Sequence, residues 1–484
     1  MEAQQFPEGF VQRRSDVRYD SSLLRRQAWR FDVTRRSPQL HDVHVEALRD
    51  LAEGRLLFPC VEPRSGRTLY AELSDFWPVE GLKMKGAAGL VYHEGRFYCE
   101  APRPHEAYGV DRELHLAVGT NLDVQIASSK RKAVNSLRRD SANCEFDCQM
   151  ALAQLGIGFP GLLAGEFIKP LTGEPERDFD GSPTGAVFVA SDPGFVPLGN
   201  YAAFRFYQLE PGVAVRKPTR GPCREFTSGD EMIRYALGFI RRIGELKARC
   251  ELEAGVGRHA CHLGNLLYNE SSDRLLITDT DSCVLIRELP LPARGPQVLR
   301  DLVSDLFRTI KDFMLYTWSD PTLDGMRSGD YLPVHSYLDG YFAERAKPST
   351  IRFHADRLHA ELLDYVALMS KHLWGLINQE ISAQRRGRGM SELVVMSTWI
   401  YMFVPFYRRI FGECYALLKD SNILGRGYPL PHLLRTGFDS KVSDGLKNYL
   451  DQLLQSSRRT KAELGWAVST ANTELDERLF TYLS

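Results

Sequence analysis

Two hydrophobic periods alternate along the chain. Between residues 66 and 100, short apolar runs broken at glycine ("GRTLYAEL", "GLKMKG", "GLVYHEGRFYCE") predict β-strands. On either side of them, "HVEALRDLAEG" and "SANCEFDCQMALAQLG" space their apolar residues by three and four. They predict helices, the second stopping at Gly156. A second β section follows in "GAVFVASD" and "NYAAFRFYQL", with the polar loop "TGEPERDFDGSPTG" ahead of it. Beyond about residue 226 the pattern is helical apart from one stretch, "LGNLLYNESSDRLLITDTDSC" at 263–283. Its runs "LLY" and "LLIT", closed by a polar tip, predict a hairpin. Residues 1–55 carry the doublets Arg13-Arg14, Arg25-Arg26 and Arg35-Arg36 and are expected to form a solvated arm.

A β-rich portion with one inserted helix, followed by a helical portion carrying a small hairpin, is the element order of a bilobal protein kinase-like α+β fold. The expected division is an N-terminal arm at 1–60, a β-rich N-lobe with its hinge at 61–210, and a larger helical C-lobe with a C-terminal extension at 211–484. A chain of 484 residues exceeds one ordinary core, which fits two lobes.

Charge narrows the partners. The 61 basic and 62 acidic residues nearly cancel, so no global field calls for nucleic acid or a membrane surface. The most apolar stretch, "ELVVMSTWIYMFVPFYRRIF", meets Arg408 before reaching the ~20 residues a spanning helix needs. The N-terminal sequence has no secretory pattern, and nine scattered cysteines without a CxxC spacing suggest a reducing, cytoplasmic setting.

Candidate chemistry gathers at the hairpin and at one strand. Asn265 precedes the first run and Asp279 follows the second, so a hairpin brings an amide oxygen and a carboxylate together. Magnesium takes such hard oxygen ligands. Asp281 is the rival metal ligand. In "GLKMKGAAGL", Lys85 precedes Gly86 and two alanines, small residues that leave an ammonium and the backbone open to a phosphate. Glu145, on the following helix, is placed to pair with that lysine.

These motifs, "SGRTLYAEL", "MKGAAGL", "EGRFYCE", "CEFDCQMALAQLGI" and "LEPGVAVRKPTRGPCREF", together resemble the selenoprotein O family of protein kinase-like enzymes, over residues 66–283. The resemblance implies an ATP-binding fold in which AMP is transferred to a protein or peptide. Lys85 would be the phosphate-binding lysine, Glu145 its partner, and Gly95 and Arg96 would belong to a glycine–arginine turn near the nucleotide. Arg216 and Arg224 would contact its phosphates, and Asn265 and Asp279 would hold magnesium.

The family's candidate base, an aspartate directly before the metal asparagine, is Gly264 here. The position five residues before Asn265, used by aminoglycoside-kinase-like proteins, is Ala260. His259 and His262 are the substitutes within reach, with His262 taken as the catalytic candidate. A carboxylate acceptor, activated as an acyl-adenylate, needs no base at all. The expected function is therefore an ATP- and Mg-dependent nucleotidyltransferase. The alternatives are a nucleotide-binding pseudokinase scaffold and a phosphate-transferring kinase.

Overall fold

The computed structural model describes residues 12–13, 30–53, 56–57, 61–65, 68–73, 77–86, 89–93, 96–100, 103–108, 114–118, 124–128, 132–134, 137–178, 181–198, 229–315, 325–372 and 410–423. Contacts divide the chain into two units. One comprises Met1–Asp111, Lys130–Asn200 and Arg249–Glu288, and the other Arg112–Ser129, Tyr201–Ala248 and Leu289–Ser484.

The first unit is organised by a seven-stranded antiparallel sheet. Its elements in chain order are β1 (Arg30–Arg36), α1 (Asp42–Ala52), β2 (Val61–Ser65), β3 (Thr68–Glu72), β4 (Gly81–Lys85), β5 (Leu137–Arg138), α2 (Arg139–Gln154), β6 (Gly161–Ile168) and β7 (Thr184–Ser191). The strand order is β1-β6-β7-β4-β3-β2, and β5 pairs with β7. Lys85 of β4 lies opposite Val187 of β7 on one side and Thr68 of β3 on the other, so the lysine strand is central.

Strand alternation assigns the two faces. Leu82 and Met84 of β4 join Phe188 of β7 in a core with Phe31, Leu48 and Phe167. Val187 and Val189 face the other way, against Ala142 and Phe146 of α2. Side chains at i and i+2 share a face of a strand. Lys83 and Lys85 therefore point away from the first core, on the side of α2.

Residues 30–36, expected as part of a solvated arm, instead supply the edge strand β1, while the helix expected in "HVEALRDLAEG" forms as α1 and packs into the core. The Arg35-Arg36 doublet hid a strand whose inward residue, Phe31, is fully buried while both arginines stay exposed. Arg35 reaches Asp147 of α2 at 3.0 Å. Strand β6, which the sequence reading passed over, is buried along nearly its whole length. Two glycines weaken its apolar signature, and one of them, Gly165, lies where any Cβ would overlap the Phe31 ring and the Asp32 carbonyl.

The predicted hairpin forms from β8 (Leu266–Asn269) and β9 (Arg274–Ile277), with Leu266 opposite Ile277. Leu267 and Leu276 pack with Phe195, and the Ile277 amide donates to the Ile157 carbonyl just after α2, at 2.8 Å. The hairpin is thus fixed against the end of the helix that carries Glu145.

Among its described residues, the second unit is helical apart from one short hairpin, Leu114–Val118 with Val124–Ser128. Its helices are α3 (Gly229–Ala248), α4 (Leu291–Leu315), α5 (Pro333–Tyr341), α6 (Pro348–His372) and a helix at 410–420. Helices α3 and α5 approach closely because each presents a glycine to the other. A Cβ on Gly340 would fall on the Arg241 carbonyl, and one on Gly244 on the Tyr337 carbonyl. Lys247 of α3 and Asp305 of α4 form an ion pair at 2.9 Å with both side chains fully buried. Among the described residues, no helix is long and apolar enough to cross a membrane.

Candidate functional site

Lys83 and Lys85 of β4 both aim at α2, where Glu145 is completely buried. A buried carboxylate is stable only with its charge matched and its oxygens bonded, and the two lysines take one oxygen each. The Lys83 ammonium donates to Glu145 Oε1 at 2.7 Å and the Lys85 ammonium to Oε2 at 3.0 Å. Lys83 donates also to Thr278 Oγ1 at 2.9 Å.

Lys85 has two further acidic partners, from the segment after β9. It donates to Asp281 Oδ2 at 2.9 Å and to Asp279 Oδ1. Asp279 has φ 62°, in the left-handed region that aspartate tolerates better than most residues. The chain turns there, and the carboxylates of residues 279 and 281 both reach the same ammonium. Burial opposes a charged Lys85, but the carboxylates of Glu145, Asp281 and Asp279 outweigh it and hold the pKa well above the ordinary 10.5. Two ammoniums against three carboxylates leave the cluster with one net negative charge.

Oxygens of Glu145, Asp279 and Asp281 lie within 4.8 Å of one another, close enough for one metal ion. The donor set is all carboxylate, the hard-oxygen chemistry that suits magnesium or manganese. Glu145, read from sequence only as the lysine's partner, is the third carboxylate of this group.

A second layer fixes the aspartate segment to α2. The Cys144 thiol donates to the Cys283 carbonyl at 2.9 Å, Gln149 Nε2 to Thr280 Oγ1 at 3.3 Å, and Thr280 Oγ1 to the Glu145 carbonyl at 3.4 Å. His259 Nε2 bonds the Thr278 carbonyl at 2.9 Å. His259 thus supports the loop beside Asp279.

Asn265 takes its place through the hairpin register. Its carbonyl accepts the Thr278 amide at 3.0 Å, which puts it beside the residue preceding Asp279. Its side-chain Nδ2 donates to the Ala260 carbonyl at 3.1 Å, an arrangement that orients the amide. His262 is exposed and accepts the Gly264 amide at Nδ1, at 3.1 Å.

Gly86 was expected to leave room for a phosphate, and the structure gives its smallness a different cause. It is buried with φ 78°, and a Cβ there would meet the Gly185 carbonyl and Leu137. The backbone of Arg96 lies in the strand Arg96–Glu100. Gly95, Arg216 and Arg224 lie outside the described residues.

The residue that sequence reasoning missed is Lys83. Its signal was the alternation in "GLKMKG", in which one face of the strand must carry both lysines.

No protein-family model matches the chain, and no curated protein matches it. Among solved structures, "WaaP in complex with acyl carrier protein" is similar over 62% of this chain and 93% of that one, at 13% identity and a TM-score of 0.29. A likeness at that level carries no argument, so the functional reading rests on the geometry of the site.

Proposed function

We propose that the chain is an ATP- and magnesium-dependent transferase of kinase-like plan, which moves AMP from ATP to a protein or peptide acceptor. The observation that carries this reading is the Lys85 ammonium, held on a central strand by a helix glutamate and in contact with the aspartates after the hairpin. Polyphosphate binding needs a cation that stays charged when buried and an acidic pair for the metal that accompanies the phosphates. Both are present within one hydrogen-bonded group. Asp279 and Asp281 would hold the magnesium, with Asn265 as an amide ligand. Magnesium, when bound, would neutralise charge on the phosphates.

In AMP transfer, an acceptor oxygen forms its bond to the α-phosphorus while the bond to the pyrophosphate oxygen breaks. Lys85 would stabilise the negative charge gathering on the departing pyrophosphate. For a hydroxyl acceptor a base must take the proton. Ala260 and Gly264 supply none, the His259 ring bonds the Thr278 carbonyl, and His262 is turned to its own loop amide. An acceptor that is already a carboxylate removes the need, giving an acyl-adenylate and pyrophosphate. This favours a carboxylate acceptor over a hydroxyl.

The test is incubation with ATP labelled at the α- or the γ-phosphorus, together with a pyrophosphate assay. Pyrophosphate release, with α-label on the acceptor or freed as AMP, is the expected result. Label transferred from the γ-position alone would make the protein a phosphate-transferring kinase. The same empty base positions favour a second reading, a nucleotide-binding scaffold without turnover. It gains if ATP with magnesium raises the melting temperature while neither label nor pyrophosphate is released across a panel of acceptors.

A further inference from the structure

Lys83 and Lys85 occupy the same face of one strand and share one glutamate. Lys83 bonds Glu145 Oε1 and a neutral hydroxyl, Thr278 Oγ1, at 2.7 and 2.9 Å. Lys85 touches three carboxylates, and they are the same three whose oxygens cluster closely enough to hold a metal ion. Its ammonium occupies the position of the cation. An ammonium and a divalent ion cannot share that position, because their repulsion at contact distance is strong even with protein screening.

We infer that the two lysines are not redundant: Lys85 is an exchangeable counter-cation that leaves the carboxylates for a polyphosphate when a divalent metal enters. Lys83 is a positioning residue that keeps Glu145 in place throughout the exchange. The inference rests on the nucleotide reading above and deepens it. Metal and polyphosphate would bind as a unit. The phosphates give Lys85 an anion to move to, and the metal offsets the negative charge of Asp279 and Asp281 that the phosphates would otherwise meet.

The test measures Mn²⁺ binding by electron paramagnetic resonance, for the wild type, Lys85→Met and Lys83→Met, each first shown to be folded by circular dichroism. Without nucleotide, Lys85→Met is expected to bind Mn²⁺ at least about tenfold more tightly than wild type, since it loses one contacting positive charge and keeps all three carboxylates. Lys83→Met is expected to bind no more tightly than wild type, because Lys85 still fills the group. In wild type, a non-hydrolysable ATP analogue should convert weak Mn²⁺ binding into tight binding, and Lys83→Arg should retain that response where Lys83→Met weakens it.

The inference is overturned if the two methionine variants bind Mn²⁺ alike, or if Lys85→Met gains nothing. Should Lys85→Met fail to fold, the wild-type arm decides, since Mn²⁺ binding equally tight with and without the analogue overturns the exchange. A tighter Lys85→Met beside a wild type that ignores the analogue would retain the counter-cation role of Lys85 and reject the nucleotide reading instead.

Discussion

Replacing Glu145 by glutamine tests whether this carboxylate balances the buried lysines. Glu145 is fully buried, and its two ammonium partners are only 4–5% exposed on their side chains. Glutamine keeps one acceptor oxygen, but its amide nitrogen must face an ammonium. Breaking a buried pair by removing one charge costs about 3–5 kcal/mol, because the surviving charge stays desolvated. Lys85 retains Asp279 and Asp281 as anionic partners. Asp147, two residues further along the same helix, provides the contrast. It pairs with Arg35 at 3.0 Å, with side chains 32% and 43% exposed, so Asp147→Asn should cost at most about 1 kcal/mol. Urea unfolding followed by circular dichroism measures both, as a midpoint shift at unchanged m. Adding Lys83→Met to Glu145→Gln should recover part of the loss, since the stranded ammonium is gone. If Glu145→Gln lies within about 1 kcal/mol of wild type, or costs no more than Asp147→Asn, the charge balance argued here is wrong.

Three further outcomes are expected. Because the folded pKa of Lys85 is raised above 10.5, its ammonium contributes stability that is fully present below that pH and is lost as pH rises through the folded value. Wild type should therefore lose stability more steeply than Lys85→Met above pH 10.5, in urea midpoints taken from pH 8 to 12. In the helical unit, Asp305→Asn strands the buried Lys247 and should cost about 3–5 kcal/mol, whereas Lys247→Met with Asp305→Leu should be close to neutral in the same assay. Gly340→Ala would push a methyl onto the Arg241 carbonyl and should cost at least about 1–3 kcal/mol by overpacking, read as a lower melting temperature, while Gly412→Ala, with open space around its Cα, should not.

Elements with one strong period were legible in the sequence. Helix α2 shows its apolar spacing and its Gly156 stop, and the hairpin shows two apolar runs around a polar tip. The nearness of Asn265 to the aspartates followed from hairpin closure alone. Where one residue answers two demands, the pattern failed. Strand β1 places exposed arginines beside the buried Phe31, so composition pointed to an arm. Strand β6 gives up apolar positions to glycine because β1 lies too close for a side chain at Gly165 and Phe146 of α2 too close at Gly161. Gly86 looked open in sequence, and only the structure places Gly185 and Leu137 against it.

The oversight of Lys83 has the most consequence for function. A search for one phosphate-binding lysine finds Lys85, beside the small residues, and stops. Strand geometry does not allow one lysine of "KMK" to point at Glu145 without the other. Once both ammoniums are on the α2 face, a glutamate shared between them is the economical way to bury two charges. In that arrangement Lys83 donates to Glu145 at 2.7 Å, and Lys85 meets Asp279 and Asp281 besides the shared glutamate. The asymmetry arises because both lysines reach the segment after the hairpin at different points: Lys83 meets the hydroxyl of Thr278, whereas Lys85, at the end of β4, meets Asp279 and Asp281. Chain position along a single strand thereby separates a fixed brace from a cation able to move.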